Sequence, residues 1–227
     1  MEPKTRNFKN YSITYFDDEE FKILSKEIFG NEVYKTVLDN PAPLIYDLGS
    51  HIGLSVLYFK KQYPNSKIIS FEPNPNVYPL LLENIETNNI RNVQTYNLAL
   101  SRKKGVRRLY IDKSQRGCFS TSSFTKNAWD GKQKSIGIDV QTDRLSNYIN
   151  KSIDLLKMDI EGAELEVLKE IDSNNKIKMI KKITIEYHQT DRKRLKELLR
   201  ILQRNNFNIK QGRNDNGLIY ILGEYTA

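Results

Sequence analysis

The chain has 227 residues, a mass of 26.5 kDa and a formal net charge of +8 with a pI near 9.3, enough for one domain over 1–227 with a substantial core. It holds no run of about 18 apolar residues, and positions 1–9 are polar and basic, so neither a spanning helix nor a secretory leader is expected and the expected location is cytoplasmic. The single cysteine, Cys118, excludes an internal disulfide and reads as an incidental small loop residue.

Residues 1–42 read as an N-terminal helical extension, with one helix over 17–29 closed by Gly30 and a shorter helical turn over 33–38 ended by Pro41. Its aromatics Tyr11, Tyr15, Phe16, Phe21, Phe29 and Tyr34 are expected to pack on a sheet, a minority of them walling the acceptor site. An alternation then begins: strand 44–48, helix 53–63 stopped by Pro64, strand 67–71, and helix 75–88 announced by Asn74 as N-cap and Pro75 at the first helical position. Strand 93–98 follows. After a long excursion come strand 153–158, helix 163–171, strand 182–187, helix 191–204, and strands 208–211 and 218–222 joined by the turn-forming Asn214, Asp215, Asn216 and Gly217.

This order predicts an α/β, Rossmann-like fold: a mostly parallel seven-stranded sheet with helices on both faces and a C-terminal antiparallel hairpin. The excursion 101–150 reads as a β-hairpin/loop insertion in which strands 106–111 and 136–140 bracket a polar stretch from Cys118 through Ser120, Ser122 and Ser123 to Phe124, followed by Trp129. Residues 114–132 are either a lid over the site or a disordered tip.

The positive charge raises nucleic acid as a partner, but its distribution weakens that reading. Arg192, Lys193, Arg194, Lys196, Arg200 and Arg204 share a segment with Leu195, Leu198, Leu199 and Leu202 at helical spacing, which makes most of them the solvated face of an amphipathic helix. Lys176, Lys178, Lys181 and Lys182 read as similar solubilising surface, although an anionic glycan or a membrane-surface substrate also fits.

Ligands of open α/β sheets bind beyond the carboxyl ends of the strands. After the first strand stand Asp47, Gly49, Ser50, His51 and Gly53; after the second, Glu72, Pro73 and Asn74; after the third, Asn97, Ala99 and Ser101. These are the candidate cofactor-binding residues. An acid after the second strand can accept both hydroxyl protons of a ribose, whereas the bulky His51 within the glycine turn disfavours close approach of a pyrophosphate. S-adenosylmethionine, which has a ribose and an amino acid but no phosphate, suits the turn better, with Glu72 on the ribose, Asp47 and the 49–53 turn on the methionine part, and Asn97 or Ala99 beside the adenine.

After the fourth strand come Asp159 and Glu161, and after the fifth Glu186 and His188. Carboxylates gathered on one edge repel unless a cation joins them, and the cation is the cofactor itself, Lys157, or a divalent metal. Asp159, Glu161, Glu186, His188 and Lys157 are therefore the candidate catalytic residues, and Asp159, Glu186 and His188 the candidate ligands of magnesium or manganese. His188 is a general base, a metal ligand or a hydrogen-bonded structural histidine; His51 shapes the turn. Lys157 interrupts an apolar strand and shares a face with Asp159, as a structural ion pair or as an ammonium at the acceptor site.

The strings Asp47-Leu48-Gly49-Ser50-His51-Ile52-Gly53, Phe71-Glu72-Pro73-Asn74-Pro75, Leu156-Lys157-Met158-Asp159-Ile160-Glu161-Gly162-Ala163-Glu164 and Ile185-Glu186-Tyr187-His188 resemble the FkbM family of S-adenosylmethionine-dependent methyltransferases. The resemblance runs over 45–188, including the Ser122 and Ser123 pair and the segment 142–149, and departs at Ser50 and His51, where the family usually has alanine and asparagine. It implies a class I methyltransferase fold and O-methylation, often of sugar hydroxyls in glycans or natural products. An Asn/Asp-Pro-Pro-aromatic string, common in enzymes that methylate exocyclic amines, is absent after the fourth strand, which also favours an oxygen acceptor. The expected partner is a glycan or small-molecule hydroxyl; the rival readings are an RNA methyltransferase and a non-catalytic module on a cofactor fold.

Overall fold

The computed structural model describes residues 2–112, 122–126, 135–188, 191–213 and 218–226. The elements in chain order are β1 (Lys4–Phe8), β2 (Tyr11–Tyr15), α1 (Asp18–Ser25), β3 (Leu44–Leu48), α2 (Leu54–Gln62), β4 (Lys67–Phe71), α3 (Tyr78–Thr87), β5 (Val93–Tyr96), β6 (Ala99–Leu100), β7 (Gly105–Asp112), β8 (Ser135–Asp143), β9 (Ile153–Met158), α4 (Glu164–Ser173), β10 (Ile180–Tyr187), α5 (Arg192–Arg204), β11 (Phe207–Arg213) and β12 (Ile219–Tyr225). Among the described residues, no helix is long and apolar enough to cross a membrane.

A seven-stranded sheet runs in the order β11-β12-β10-β9-β3-β4-β5. The pairs from β10 to β5 are parallel, and β12 runs antiparallel to both its neighbours. This is the α/β architecture that the alternation predicts. Period two along the strands sorts their side chains to the two faces. Tyr46, Leu48, Leu156 and Met158 join Leu165, Leu168, Leu198 and Leu202 of α4 and α5 in one core. Ile45 and Leu155 join Leu54, Leu57 and Leu81 of α2 and α3, and the N-terminal aromatics, in the other. Asp47 and Lys157, in phase with Ile45 and Leu155, therefore point to the N-terminal side of the sheet.

The N-terminal segment departs from the helical extension expected over 1–42. β1 and β2 form a hairpin, α1 is continued by a π-helical turn over Lys26–Gly30, and 33–38 is not helical. The hairpin exists because α3 stands in for a third strand. Asn84 accepts from the Thr14 N–H at 2.7 Å and donates to the Thr14 carbonyl at 2.9 Å, and Asn88, one turn on, does the same for Ser12 at 2.9 and 2.8 Å. A carboxamide carries the same donor and acceptor as a peptide unit, so the edge of β2 away from β1 is satisfied without a second neighbouring strand. Asn84 also donates to the Ile52 carbonyl at 2.8 Å, pinning the hairpin to the glycine turn after β3.

Smaller differences are local. α3 begins at Tyr78 rather than Pro75, because Asn74 caps a preceding turn through Asn76 N–H at 3.0 Å. The expected strand 93–98 ends at Tyr96, and β6, just beyond its expected end, joins a three-stranded sheet of order β6-β8-β7. That sheet is the expected insertion, and it packs Leu109, Ile111 and Val140 with Phe124. Most of the 114–132 segment, including Cys118 and Trp129, and the turn from Asn214 to Gly217 lie outside the described residues.

Asn84→Leu leaves the Thr14 and Ile52 backbone groups unpaired inside the protein and is expected to destabilise it by about 3 kcal/mol in urea melts. Exchange of the Thr14 amide proton should accelerate with it. Asn88→Ala, at a half-buried position, should cost less.

Candidate active site

Strand register builds the site. Leu48 is level with Phe71 on β4 and with Met158 on β9, and Met158 is level with Ile185 on β10. The next residue of each strand therefore falls into one row, Glu72, Gly49, Asp159 and Glu186, along the carboxyl edge of the sheet. Gly49 is held at φ 81°, where only glycine sits without strain. A Cβ there would lie 1.8 Å from the backbone oxygen of Asp159, so the turn after β3 and the loop after β9 meet backbone to backbone.

Glu72 caps that turn. Its two oxygens accept the His51 and Asn74 backbone N–H groups, each at 2.8 Å, while the residue is 5% exposed. Burial pushes its carboxyl up to about 7 against the pull of those two bonds. His51 has φ 49°, an uncommon value for a side chain with a Cβ, and its bond to Glu72 holds it there.

Beneath the row lies Lys157, 1% exposed. Its ammonium donates to the Gly49 carbonyl at 2.6 Å and lies 3.1 Å from Asp47 Oδ1, 3.5 Å from Asp159 Oδ2 and 5.1 Å from the centre of the Tyr34 ring. Burial alone would lower its pKa, but the Asp47 and Asp159 charges outweigh that and raise it. Asp47 has its other oxygen occupied by Ser55 Oγ at 2.5 Å. The structural alternative for Lys157 therefore fits: its donors are spent on the glycine turn and the two aspartates.

Above it, His188 sits among four carboxylates. Its Nε2 is 3.6 Å from Asp159, 3.7 Å from Glu161 and 3.5 Å from Glu186, and its Nδ1 is 3.4 Å from Glu164. Burial opposes the cation, but Glu161, Glu164, Glu186 and Asp159 together hold it well above an ordinary histidine. Burial likewise drives Glu161 up, and raises Glu186 with help from Asp159. Asp159 behaves differently. Burial would raise it, yet Lys157, His188 and the Tyr34 hydroxyl keep it below the usual carboxylate range.

These groups border a hollow of about 1080 Å³, its open mouth included. Of the expected cofactor residues, Gly49, Ser50, His51, Glu72, Pro73 and Ala99 line it, as do Lys157, Asp159, Glu161, Glu186 and His188 of the catalytic set. The others stand behind the wall. Asp47 is enclosed by Ser55 and Lys157; Gly53, at φ 91°, lies against Leu81; Asn97 donates to the Glu72 carbonyl at 2.8 Å; Asn74 acts through its backbone bond to Glu72. Ser101 is turned away to Glu166 at 2.9 Å, beyond reach of the hollow. Among the described residues, ligand atoms of Asp159, Glu161 and His188 come within 4.8 Å of one another, two of the three expected metal candidates together with Glu161.

Sequence reasoning misses Glu27, Ser55, Glu164 and Tyr220 and leaves Tyr34 among six aromatics. Tyr34 donates to Asp159 at 2.8 Å and lies 3.1 Å from Glu186, and Glu27 enters from the π-helical turn, raised by burial and by the nearby Glu186 and Asp159. Glu164 had a signal, an acid three residues after Glu161 at the start of a helix, while the N-terminal residues carry none because no strand end places them.

A family model described as "Methyltransferase FkbM domain" matches residues 47–209. The chain is 32% identical over 183 residues to Methyltransferase sdnD of Sordaria araneosa, covering 69% of this chain and 71% of that protein. It is 24% identical over 208 residues to 31-O-demethyl-FK506 methyltransferase FkbM of Streptomyces tacrolimicus, covering 79% of each. Among solved structures, Methyltransferase FkbM from Methylobacillus flagellatus KT matches with a TM-score of 0.55 at 16% identity over 81% of this chain, which spans 44% of the length of that one. The fold is thus that of the class I Rossmann-like methyltransferases.

Gly49→Ala forces a methyl group into the Asp159 carbonyl and a left-handed backbone onto an L-residue. It is expected to yield insoluble protein or a melting temperature lower by about 10 °C or more. A wild-type melting curve would show that the two loops do not meet as described.

Proposed function

The chain belongs to the FkbM family of methyltransferases, and from that footing we propose that it is an S-adenosylmethionine-dependent O-methyltransferase acting on a neutral hydroxyl, above all a sugar hydroxyl of a glycan, polysaccharide or natural product. The observation that carries this is Asp159, a carboxylate kept ionised at the wall of the hollow and separated from Glu72 in the strand-end row by Gly49 alone. The name of the Streptomyces relative, which marks an oxygen as that protein's acceptor, supports the same chemistry.

The residues fit the cofactor. Each Glu72 oxygen holds one backbone N–H and keeps a second acceptor site for a ribose hydroxyl. Phe71, Pro73, Leu98 and Ala99 offer an apolar slot for an adenine, and the turn at 49–53 leaves room for the amino-acid end beside the start of α2, whose free N–H groups suit a carboxylate. When bound, S-adenosylmethionine supplies an electrophilic methyl carbon. Asp159 orients the acceptor hydroxyl and takes its proton, Lys157 and His188 stabilise the ionised Asp159, and Leu109 and Phe124 help exclude water. His188, already cationic, acts as an electrostatic support and not as the general base.

Asp159, Glu161 and His188 are the donors a divalent ion would use, and its binding would release the proton that the surrounding carboxylates favour on the imidazole. No step is assigned to a metal. RNA is disfavoured, since Glu27, Asp159, Glu161 and Glu186 at the hollow would repel its phosphates.

Ribose hydroxyls donate to ionised Glu72, so S-adenosylmethionine binding should strengthen as pH rises through about 7, with a proton released on binding. The free protein runs the other way: the raised Glu72 contributes stability below its unfolded pKa that is lost as pH rises through about 7. Calorimetry in buffers of different ionisation enthalpy reads both effects, and Glu72→Gln should weaken binding about tenfold or more and flatten its pH dependence.

Asp159→Asn should lower methyl transfer to a hydroxyl acceptor by roughly a hundredfold or more while leaving cofactor affinity within about twofold. Transfer by the wild-type enzyme should persist in excess chelator. A rate abolished by chelator and restored by manganese would install the metal instead.

A further inference from the structure

The family match begins at residue 47, yet one wall of the hollow is built before it: Leu24, Glu27, Ile28, Val33 and Tyr34 all line the cavity. The π-helical turn delivers part of this wall. Its wider ring, closed by the Asn31 N–H to the Lys26 carbonyl at 2.8 Å, adds a residue to the helix that α1 begins and changes the direction in which Glu27 and Ile28 leave the backbone.

Tyr34 is the residue of this wall that reaches the reaction edge. It is 5% exposed and its ring packs 6.3 Å from Phe59, with the Lys157 ammonium 5.1 Å away on the same side of the sheet. Its hydroxyl lies 2.8 Å from Asp159 Oδ2 and 3.1 Å from Glu186 Oε2. One phenol proton thus serves two carboxylates that arise from adjacent strands, β9 and β10. Carboxylates that share a donor repel one another, and at Asp159 the Tyr34 hydroxyl joins Lys157 and His188 in offsetting that repulsion.

We infer that Tyr34 is a positioning residue for methyl transfer, holding the Asp159 and Glu186 carboxylates at the acceptor edge, and that the segment Leu24 to Tyr34 forms the acceptor-side wall of the site. The inference rests on the methyltransferase reading above and adds to it that the surface meeting the acceptor is supplied partly from outside the segment the family shares. The groups that face the pair are Lys157 beneath, His188 above, Glu161 after β9, Glu27 from the π-helical turn, and Tyr220 from β12, whose own pKa burial and Glu186 raise.

Tyr34→Phe tests this, because it removes the hydroxyl and keeps the ring over Lys157. Two measurements separate the possibilities. In the first, radiolabelled S-adenosylmethionine is incubated with wild-type or variant enzyme and a polysaccharide and metabolite extract, and labelled product is followed against pH. The variant is expected to turn over about tenfold or more slowly at unchanged cofactor affinity, with its acid limb moved to higher pH because Asp159 has lost a donor. An unchanged rate and profile overturn the inference, as does a loss explained by weaker cofactor binding.

The second measurement needs no acceptor. The Tyr34 bond favours ionised Asp159, so its contribution to stability is present above the ordinary aspartate pKa and is lost as pH falls through the depressed one. Tyr34→Phe should therefore lower the melting temperature more near pH 8 than at an acid pH well below the ordinary aspartate value of about 3.9. The difference should shrink when the substitution is made in Asp159→Asn. An equal loss at both pH values and in both backgrounds would make Tyr34 mere packing and sink the inference. If the wild type labels nothing, the methyltransferase reading fails by itself, and the stability cycle still decides the role of Tyr34.

Discussion

A lysine in the middle of a β-sheet must find oxygen on every side, and the burial of Lys157 sets the terms for the rest of the site. Because its ammonium cannot reach water, the neighbouring strand has to supply Asp47, its turn has to present the Gly49 carbonyl, and its own strand has to end in Asp159. The glycine turn is consequently fastened from below by a charge, from the side by Glu72, and from the far edge by the Asp159 backbone it touches. Removing one member of such a set leaves the others as uncompensated buried charge, a larger loss than the net contribution of any pair.

The interior and the exterior of the protein carry opposite charge. The chain is formally +8, and the exposed cations of α5 include Arg204, paired with Asp172, while Lys169 of α4 pairs with Glu197. The hollow is instead lined by Glu27, Asp159, Glu161 and Glu186, with the cations Lys157 and His188 engaged by acids. A global positive charge therefore says little about what enters the site. The local field favours a donor that itself bears positive charge and an acceptor without negative charge at its reacting end.

What the sequence reveals follows from what a strand end can position. Glu72, Gly49, Asp159 and Glu186 are legible because parallel register carries each of them to the same edge, and the alternation of strands and helices makes that register readable. Their division of labour is less legible. Nothing in the spacing says that Asp47 is spent on Lys157 and Ser55, or that Ser101 turns to Glu166, since both depend on side-chain partners from distant elements. The hairpin of β1 and β2 escapes notice because its partner is a helix: Asn84 and Asn88, ordinary polar positions along α3, complete a ladder that sequence patterns assign only to strands. Glu27 escapes because a π-helical turn shifts the phase on which a helical reading depends, and Tyr34 stays one of six aromatics because no strand end places it.

The placement of the N-terminal segment also sets an order of events during synthesis. Thr14 waits for Asn84, 70 positions later, and Tyr34 waits for Asp159 and Glu186, 125 and 152 positions later. At a translation rate of about 5–20 residues per second, those waits amount to roughly 4 to 30 seconds. Until α2 and α3 emerge, the nascent chain displays Phe8, Tyr11, Phe21 and Phe29 without the surfaces that later cover them. Residues made before α2 and α3 are thus among the last to find their places, and this stretch is where a chaperone has most to shield.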